Sequence, residues 1–386
     1  MKSVYVEKKF CCGCGACKCA CPVGAIAMEP DGEGFLYPAI DEPVCVDCKN
    51  CRAVCPMLWH KKLKAIEPGA CYAARHKSHE VLMRSASGGA FTAISDVVLN
   101  EGGVVYGADF DGRFDVVHRR AASREARNRF CRSKYAQSAT HEAYGDAVRD
   151  LREERTVLFT GTPCQTAGLR GLMKKKVYPS DLRTCDLICH SVPSPLIWRE
   201  FRGLLERESG EKVVEIFFRS KLRPWTRENM NAGFHYRTSG GGRQIFDRRF
   251  LDLFLKAGTI ARPSCHACPF CDARRASDVT IADYMGIEKV APELYDERGV
   301  SLVMTNSEKG RALLAAARAD ADFIERPRGE ALNEQERLRR PAAMPPARDA
   351  FWRDYRERGF EFVLEKYLEG VAERGGCGEA AIERSA

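Results

Sequence analysis

The amino-acid sequence predicts a protein of two unlike parts, a small α+β unit of two βαβ-like halves followed by an α/β domain built on a mixed sheet. Two observations support this prediction. Residues 1–66 contain the same run of four cysteines twice, with a turn and a short strand between the copies. Residues 156–167, TVLFTGTPCQTA, pass from an apolar strand through a tight turn into a helical pattern, which is typical of open α/β sheets.

The two cysteine runs share one spacing, C-x2-C-x2-C-x3-C-P. The first run is Cys11, Cys14, Cys17 and Cys21 before Pro22, and the second is Cys45, Cys48, Cys51 and Cys55 before Pro56. Bacterial two-cluster ferredoxins have this spacing, in which three cysteines hold one 4Fe–4S cluster and the fourth reaches the other. Zinc, the alternative, prefers two ligand pairs separated by a longer loop. Cys12 and Cys19 fall outside the spacing and are predicted to hold no metal.

The spacing therefore predicts a two-cluster 4Fe–4S ferredoxin domain over residues 1–66. The predicted ligands are Cys11, Cys14, Cys17 and Cys55 for one cluster and Cys45, Cys48, Cys51 and Cys21 for the other. A polar, lysine-rich stretch over residues 58–68 is predicted to be a linker. We expect a second domain over residues 67–345, and a C-terminal helix with a disordered tail over residues 346–386.

Composition excludes several function classes. The chain of 386 residues has no run of eighteen apolar residues, so no membrane span is predicted. Its first ten residues lack an apolar signal core, and nineteen mostly clustered cysteines favour metal clusters over disulfides, so we expect a cytoplasmic protein of a reducing, low-oxygen cell. The net charge of +8 falls once clusters of roughly −2 each are counted, and the basic residues are scattered, which argues against nucleic-acid binding.

The strand–turn–helix segment carries the first candidate site of the second domain. Thr160, Gly161, Thr162 and Pro163 form the predicted turn, and a helix opens at Cys164. A helix N-terminus has unpartnered N–H groups and partial positive charge, so it suits a phosphate or a thiolate that carries iron. A second strand, over residues 184–189, ends in Cys189 and His190. If these strands are parallel neighbours, Cys164 and Cys189 lie at the same edge of the sheet, where ligands bind.

A third group of cysteines lies further along the chain. Cys265, Cys268 and Cys271 are spaced by two residues and need a fourth ligand, for which Cys164 and Cys189 are the candidates. Zinc remains an alternative because no Cys-Pro step closes this run. For His190, structural hydrogen bonds are favoured over acid–base chemistry.

Two other segments are candidate binding elements. Ser87 is a possible N-cap of a helix, and Gly88 and Gly89 in its first turn indicate either close approach of a ligand or tight helix–strand packing. The segment Ser133–Ser138 places a lysine and a tyrosine where they hold a phosphate, stack on a ring or lie exposed.

The second domain resembles the coenzyme F420 hydrogenase/dehydrogenase beta subunit family, here with the ferredoxin domain fused in front. The matching segments are SASGGAF (85–91), SKYAQS (133–138), LFTGTPCQTAGL (158–169), DLICHSVPSP (186–195), FRSK (218–221) with Trp225, CHACPF (265–270), SDVTIADY (277–284) and GVSLVMTN (299–306). The resemblance implies bound FAD, a 4Fe–4S cluster beside it, and hydride exchange with a deazaflavin or related acceptor. Glycine is usual in the family where this chain has Ser191 and Pro224.

The resemblance also implies site residues. The flavin would be lined by Ser87, Gly88, Gly89, Ser133, Lys134, Tyr135, Gln137, Thr160, Gly161, Thr162 and Pro163. A third 4Fe–4S cluster would be held by Cys164, Cys189, Cys265 and Cys268, with Cys271 as the spare or the alternative to Cys164.

We therefore expect an FAD- and 4Fe–4S-dependent oxidoreductase that exchanges a hydride or electron pair with F420 or another small substrate and passes single electrons to a redox protein partner or another subunit. No catalytic acid or base is assigned. The alternatives are a non-catalytic electron-relay subunit of a larger complex and a zinc-stabilised binding protein.

Overall fold

The structure is a computed structural model that describes residues 4–61, 69–173, 181–229, 233–242, 244–375 and 382–384. Most of the predicted linker and the boundary between the two predicted domains lie outside these residues, as does most of the predicted disordered tail. Within the described residues, no helix is both long and apolar enough to cross a membrane.

The N-terminal unit is built around one strand pair. Its elements are α1 (Ala16–Ala20), β1 (Ile26–Pro30), β2 (Leu36–Ile40), α2 (Asn50–Ala53) and α3 (Pro56–Trp59). Strands β1 and β2 are antiparallel, with Ile26 opposite Ile40. The described residues of this unit show one strand pair where the sequence predicts two βαβ-like halves. The second run passes directly into helix α3 because Pro56 occupies its first position.

The described residues of the second part of the chain form twelve strands. They are β3 (Cys71–His76), β4 (Val104–Phe110), β5 (Val116–Ala121), β6 (Val157–Gly161), β7 (Leu182–Leu187), β8 (Val213–Phe218), β9 (Phe234–Thr238), β10 (Ile245–Asp247), β11 (Val279–Asp283), β12 (Ser301–Thr305), β13 (Ala321–Arg326) and β14 (Ile382–Arg384). Eight of them form one mixed sheet in the order β13-β3-β12-β11-β7-β6-β4-β5, whose centre, β4 to β11, is parallel. The predicted fold class is confirmed. Strands β14, β10, β9 and β8 form a second, antiparallel sheet, so part of the predicted disordered tail is a strand.

Helices cover the sheets. They are α4 (His79–Arg84), α5 (Ala90–Asn100), α6 (Arg124–Asn128), α7 (His141–Arg152), α8 (Pro163–Met173), α9 (Pro195–Ser209), α10 (Arg249–Leu251), α11 (Ile287–Val290), α12 (Glu308–Ala317), α13 (Arg328–Asn333), α14 (Arg348–Arg358) and α15 (Phe360–Gly375). The sequence predicts one helix over residues 351–371, but Gly359 has a φ of +83° and divides it into α14 and α15.

The start of α5 differs from the expected cap. Gly89, with a φ of +82°, is the N-cap, while the Ser87 hydroxyl donates to the carbonyl of Val300 instead. A Cβ on Gly88 would lie 2.2 Å from the Ala74 carbonyl oxygen. Tight packing against the sheet thus explains Gly88, one of the two reasons considered for this glycine pair.

The N-terminal unit packs directly on α7 and α8. Cys14 and Val54 of that unit share an apolar cluster with Tyr144 and Leu169. On α8, a Cβ at Gly168 would lie 3.0 Å from the Cys14 Sγ, and one at Gly171 would lie 2.4 Å from the Val54 carbonyl oxygen. The Thr140 hydroxyl, just before α7, donates to the Cys14 carbonyl at 2.7 Å.

Candidate functional site

The thiols predicted to hold the first cluster lie together. Burial raises the pKa of Cys17, and Cys11 and Cys55 raise it further. Burial also raises the pKa of Cys55 to about 11, with Cys11 adding to the effect. An interaction with Cys12 acts to lower the pKa of Cys14, but burial, together with Cys55 and Cys17, raises this pKa above its usual value. Buried thiols that disfavour each other's ionisation fit a metal core, whose positive charge stabilises the thiolates.

The second predicted set lies closer to the surface. Burial raises the pKa of Cys51, followed by the effects of Cys48 and Cys45. Cys48 is exposed, whereas Cys21 and Cys51 pack against the same small apolar cluster. The Cys21 Sγ accepts a hydrogen bond from the Ala25 N–H at 3.2 Å, a contact typical of sulfur ligands in iron–sulfur proteins.

The third set of cysteines is gathered from three parts of the chain. Cys164 lies in the first turn of α8, Cys189 follows β7, and Cys265 and Cys268 lie in and just after a tight helical turn, Pro263–Ala267. Because β6 and β7 are parallel neighbours, Cys164 and Cys189 lie at the same edge of the sheet, as the sequence predicts. All four thiols line one cavity.

The pKa values indicate which thiols are close neighbours. Burial raises the pKa of Cys189, and Cys265, Cys164 and Cys268 raise it further. Cys271 lines the same cavity, but its pKa is lowered by a hydrogen bond with Cys268. The ligand assignment remains a prediction. Among the described residues, no three His, Cys, Asp or Glu side chains are close enough to share a single metal ion.

A larger cavity of 310 Å³ opens at the carboxyl ends of the parallel strands. Its volume lies in the range of small-molecule and cofactor sites. Of the eleven residues that the resemblance implies, eight line it: Ser87, Gly89, Ser133, Lys134, Tyr135, Thr160, Gly161 and Thr162. The other three lie elsewhere. Gly88 packs against β3, Gln137 donates to the Cys12 carbonyl, and Pro163 lines the cysteine cavity.

Charged groups at the cavity are held by specific partners. Lys134 Nζ donates to the carbonyls of Arg129 at 2.6 Å and Cys131 at 3.0 Å, and burial lowers the pKa of Lys134 to about 8. Arg219 donates to Asp283 at 2.8 Å. Burial acts to raise the pKa of Asp283, but the Arg219 charge and hydrogen bonds outweigh it and hold that pKa below its usual value.

Polar groups on the opposite wall fix the turn after β6. His118 contacts the Ser138 hydroxyl through Nδ1 at 2.6 Å and the Thr160 carbonyl through Nε2 at 2.9 Å. Burial lowers the pKa of His118 to about 4, so its ring is neutral at pH 7 and Nε2 donates to the carbonyl. The Thr162 N–H donates to Gln165 Oε1 at 2.9 Å, which satisfies one N–H of this helix N-terminus.

Arg219, Asp283, His118 and Ser138 are absent from the sequence-predicted site. Arg219 lies in FRSK, Asp283 in SDVTIADY and Ser138 in SKYAQS, so the segments that carry the family resemblance could have indicated these three residues. His118 reaches the cavity through the pairing of β5 with residue 139, which sequence patterns do not reveal.

The two cavities share a wall. Thr162, Cys189, His190, Ser191 and Val192 line both the large cavity and the cysteine cavity. Ser191 has a φ of +140°, a conformation that favours glycine, at the position where glycine is usual in the family. A ligand in the large cavity would thus lie beside the third cysteine set, separated from it by one stretch of chain.

Comparisons with known proteins find matches to two parts of the chain. The family that comprises the C-terminal part of the coenzyme F420 hydrogenase/dehydrogenase beta subunit matches residues 154–328. An uncharacterized ferredoxin of Methanocaldococcus jannaschii is 44% identical over 52 residues, which are 14% of this chain and 30% of that protein. A second one is 38% identical over 53 residues, 14% of this chain and 68% of that protein. A ferredoxin-like protein in the nif region of Rhizobium leguminosarum bv. trifolii is 40% identical over 53 residues, 12% of this chain and 75% of that protein.

One solved structure is similar in fold. It is described as a xenon derivatization of the F420-reducing NiFe hydrogenase complex from Methanosarcina barkeri. The TM-score is 0.47 and the sequence identity 19%, over 81% of this chain and 94% of that chain.

Proposed function

We propose that this chain, whose residues 154–328 belong to the coenzyme F420 hydrogenase/dehydrogenase beta subunit family and whose N-terminal part is ferredoxin-like, is an FAD-dependent oxidoreductase. Its small substrate is a deazaflavin such as F420, or a related hydride donor or acceptor. Its second partner is a redox protein or another subunit of a complex, which exchanges single electrons with the chain.

The shared wall of the two cavities carries the proposal. The large cavity suits a flavin ring, and the segment from Cys189, itself a member of the third set of thiols, to Val192 lines both this cavity and the cysteine cavity. Electron transfer requires the flavin and the third cluster to lie close together, and in this proposal the shared wall would keep them close without a conformational change. FAD, when bound, supplies the exchange between an electron pair and single electrons, while iron–sulfur clusters carry single electrons.

The residues of the cavity have distinct tasks in this proposal. Lys134 supplies positive charge for the phosphates of the dinucleotide, because this residue lines the cavity. Arg219, held by Asp283, presents a planar, charged group near Tyr135. Neutral His118 holds the Thr160 carbonyl and so fixes the turn before Cys164. No acid or base is required for hydride transfer, and none is assigned.

The second cysteine set is the proposed point of exchange with the protein partner. Cys48 is exposed, and the apolar side chains of Val44 and Val46 beside it are 44% and 61% exposed. Exposed apolar groups around a redox centre favour a weak docking surface for another protein. In this proposal the first set passes electrons on to the third, because Cys14 packs against α8, whose first turn contains Cys164.

The test is anaerobic purification followed by iron and flavin analysis and titration with reduced F420 and with reduced ferredoxin. We expect FAD and about 12 irons per chain, four for each proposed cluster. Bleaching of the flavin by reduced F420 supports the assigned substrate class. Protein with intact clusters that binds no flavin contradicts the FAD site. Bleaching by ferredoxin alone identifies an electron-relay subunit instead of an oxidoreductase for small substrates.

A further inference from the structure

A single arginine joins two of the segments that carry the third set of cysteines. One segment is residues 265–275, the cysteine loop, and the other is the end of strand β7. Arg275 closes the loop and is 3% exposed. Its Nη1 donates to the Phe270 carbonyl at 2.9 Å and to the Asp272 carbonyl at 3.3 Å, both within the loop. Its Nη2 donates to the Leu187 carbonyl, the last of β7, at 2.9 Å. One guanidinium group therefore binds the backbone of both segments.

A carboxylate on β7 holds this arginine in turn. Asp186 is 1% exposed, and its Oδ1 lies 3.1 Å from Arg275 Nη2. The same oxygen accepts a hydrogen bond from the hydroxyl of Thr280, its partner residue on β11, at 2.6 Å. Thr280 Oγ1 accepts one from Asn306 Nδ2, just after β12, at 2.9 Å. A buried polar network that starts from three neighbouring strands thus fixes the guanidinium.

Stability alone does not explain this buried pair. Burying two opposite charges is a weak source of stability, because the cost of removing them from water offsets most of their attraction. Arginine has, however, a planar fork of donors that binds several carbonyl groups in a fixed geometry, which an ammonium group does not. Metal ligands that come from separate segments depend on such supporting contacts for their relative placement. The contacts of Arg275 join the segment that ends in Cys189 to the one that contains Cys268.

We propose that Arg275 is a positioning residue of the third iron–sulfur site, which holds the cysteine loop against the end of β7, and that Asp186 holds Arg275 in place. The inference rests on the proposed function, since it takes the third set of cysteines as cluster ligands. It goes beyond that function because it assigns the geometry of the site to two residues that hold no iron.

The experiment compares Arg275→Lys and Asp186→Asn with the parent, using the full chain purified anaerobically. Iron release to a chelator is followed over time, and the midpoint potential of each cluster is measured by redox titration with electron paramagnetic resonance. Cys189→Ser, which lacks the third cluster in the proposed function, identifies the signals of that cluster. Arg275→Lys keeps the charge but loses the fork, so we expect about four irons to leave about tenfold faster than in the parent.

Asp186→Asn changes the charge with little change of shape. The asparagine still accepts the hydrogen bond of Thr280, while the charge of Arg275 loses its counter-charge. A positive charge near a cluster favours the reduced, more negative form, so the midpoint of the third cluster should rise and the other two should stay in place. A role in stability alone would not raise one midpoint selectively. This measurement also decides the question if Arg275→Lys does not fold.

A second buried pair provides the matched controls. Arg127 pairs with Asp96 at 2.7 Å, and neither residue lines the cysteine cavity. Arg127→Lys and Asp96→Asn should lower thermal stability but leave iron release and all three midpoints as in the parent. Parental iron release in Arg275→Lys overturns the proposal, and so does an unchanged third midpoint in Asp186→Asn. Equal changes in the control variants overturn it as well. A parent chain that lacks the third cluster contradicts the proposed function itself, which is a different outcome.

Discussion

Arg262 donates a hydrogen bond from Nε to the carbonyl oxygen of Cys11, the first cysteine of the repeat, at 2.8 Å. Its other nitrogens donate to Gln137 Oε1 at 2.7 Å and to the Leu36 carbonyl at 3.0 Å, and its guanidinium lies 4.2 Å from the centre of the Tyr37 ring. The side chain is fully buried. One arginine of the second domain thus holds the N-terminal unit against that domain and places a positive charge beside the first cysteine run.

Replacing Arg262 should loosen the N-terminal unit. Arg262→Ala removes three hydrogen bonds from a charged donor and leaves buried carbonyls without partners, which costs about 3 kcal/mol. We expect amide hydrogen exchange in strands β1 and β2 to become about a hundredfold faster. Arg262→Lys keeps the charge but not the planar fork, so its effect is intermediate.

Arg199→Ala is the matched control for Arg262. Arg199 is an exposed arginine that pairs with Asp115 at 2.6 Å, and exposed pairs contribute little to stability. Its removal should leave exchange in β1 and β2 unchanged. Equal protection of these strands in Arg262→Ala and the parent would show that the arginine does not hold the unit in place.

Serine variants should identify the fourth ligand of the third set. Cys189 is a close neighbour of Cys265, Cys164 and Cys268, whereas Cys271 interacts mainly with Cys268. We therefore expect Cys164→Ser and Cys189→Ser each to lose about four irons per chain, and Cys271→Ser to lose none. Iron analysis of anaerobically prepared protein gives the answer. The reverse pattern, with iron lost from Cys271→Ser and retained in Cys164→Ser, would exchange the roles of these two residues.

Glycine at position 191 should stabilise the protein. Ser191 has a φ of +140°, and the backbone of a residue other than glycine is strained in this conformation by about 1 kcal/mol or more. Ser191→Gly is expected to raise the thermal unfolding midpoint by a few degrees without changing the iron content. Ser220→Gly, at a loop position outside the positive-φ residues, should lower the midpoint slightly. A lower midpoint for Ser191→Gly would mean that contacts of the serine outweigh its strain.

Binding of FAD should depend on pH through Lys134. Burial lowers the pKa of this lysine to about 8 in the flavin-free protein, and a bound phosphate favours its charged form and raises that pKa. Affinity should therefore be constant below about pH 8 and fall above it, by up to about tenfold per pH unit. The measurement is FAD titration of flavin-free protein between about pH 6.5 and 9.5.

Lys134→Gln tests this assignment. The variant should bind FAD more weakly below pH 8 and show no decline above it, because the titrating charge is absent. Lys77→Gln is the control, since Lys77 donates to the carbonyls of Arg318 and Ala319 away from the cavity. A pH profile of Lys134→Gln that follows the parent would assign the titration to another group.

Local patterns in the sequence predicted the main features of the fold. The alternating residues on either side of Asp111-Gly112 predict a hairpin, and β4 and β5 pair there. The apolar runs before Gly161 and before Cys189 form parallel neighbouring strands. Cys164 and Cys189 therefore lie at the same edge of the sheet, as expected if the two strands are neighbours. These features depend on short-range periodicity and turn chemistry, which one sequence displays directly.

Features that depend on contacts between distant segments could not be predicted from local sequence patterns. The position of Cys12 follows from bonds that Gln137 and Arg262 make across the two units. The division of the C-terminal helix at Gly359 follows from a single backbone angle, since glycine is also tolerated inside helices. The spacing of neighbouring residues in the sequence therefore predicts neither the position of Cys12 nor the break at Gly359.

Helix α8 fixes the spacing between two of the cysteine sets. Cys164 lies in the first turn of this helix, and Cys14 packs against Gly168, four residues further along. A rise of about 6 Å along the helix therefore sets the separation of Cys164 and Cys14 in that direction. The N-terminal unit is therefore not an interchangeable module. A foreign ferredoxin grafted in its place would need a surface that fits closely against Gly168 and Gly171. An insertion of even one residue between 164 and 168 would rotate Gly168 away from Cys14.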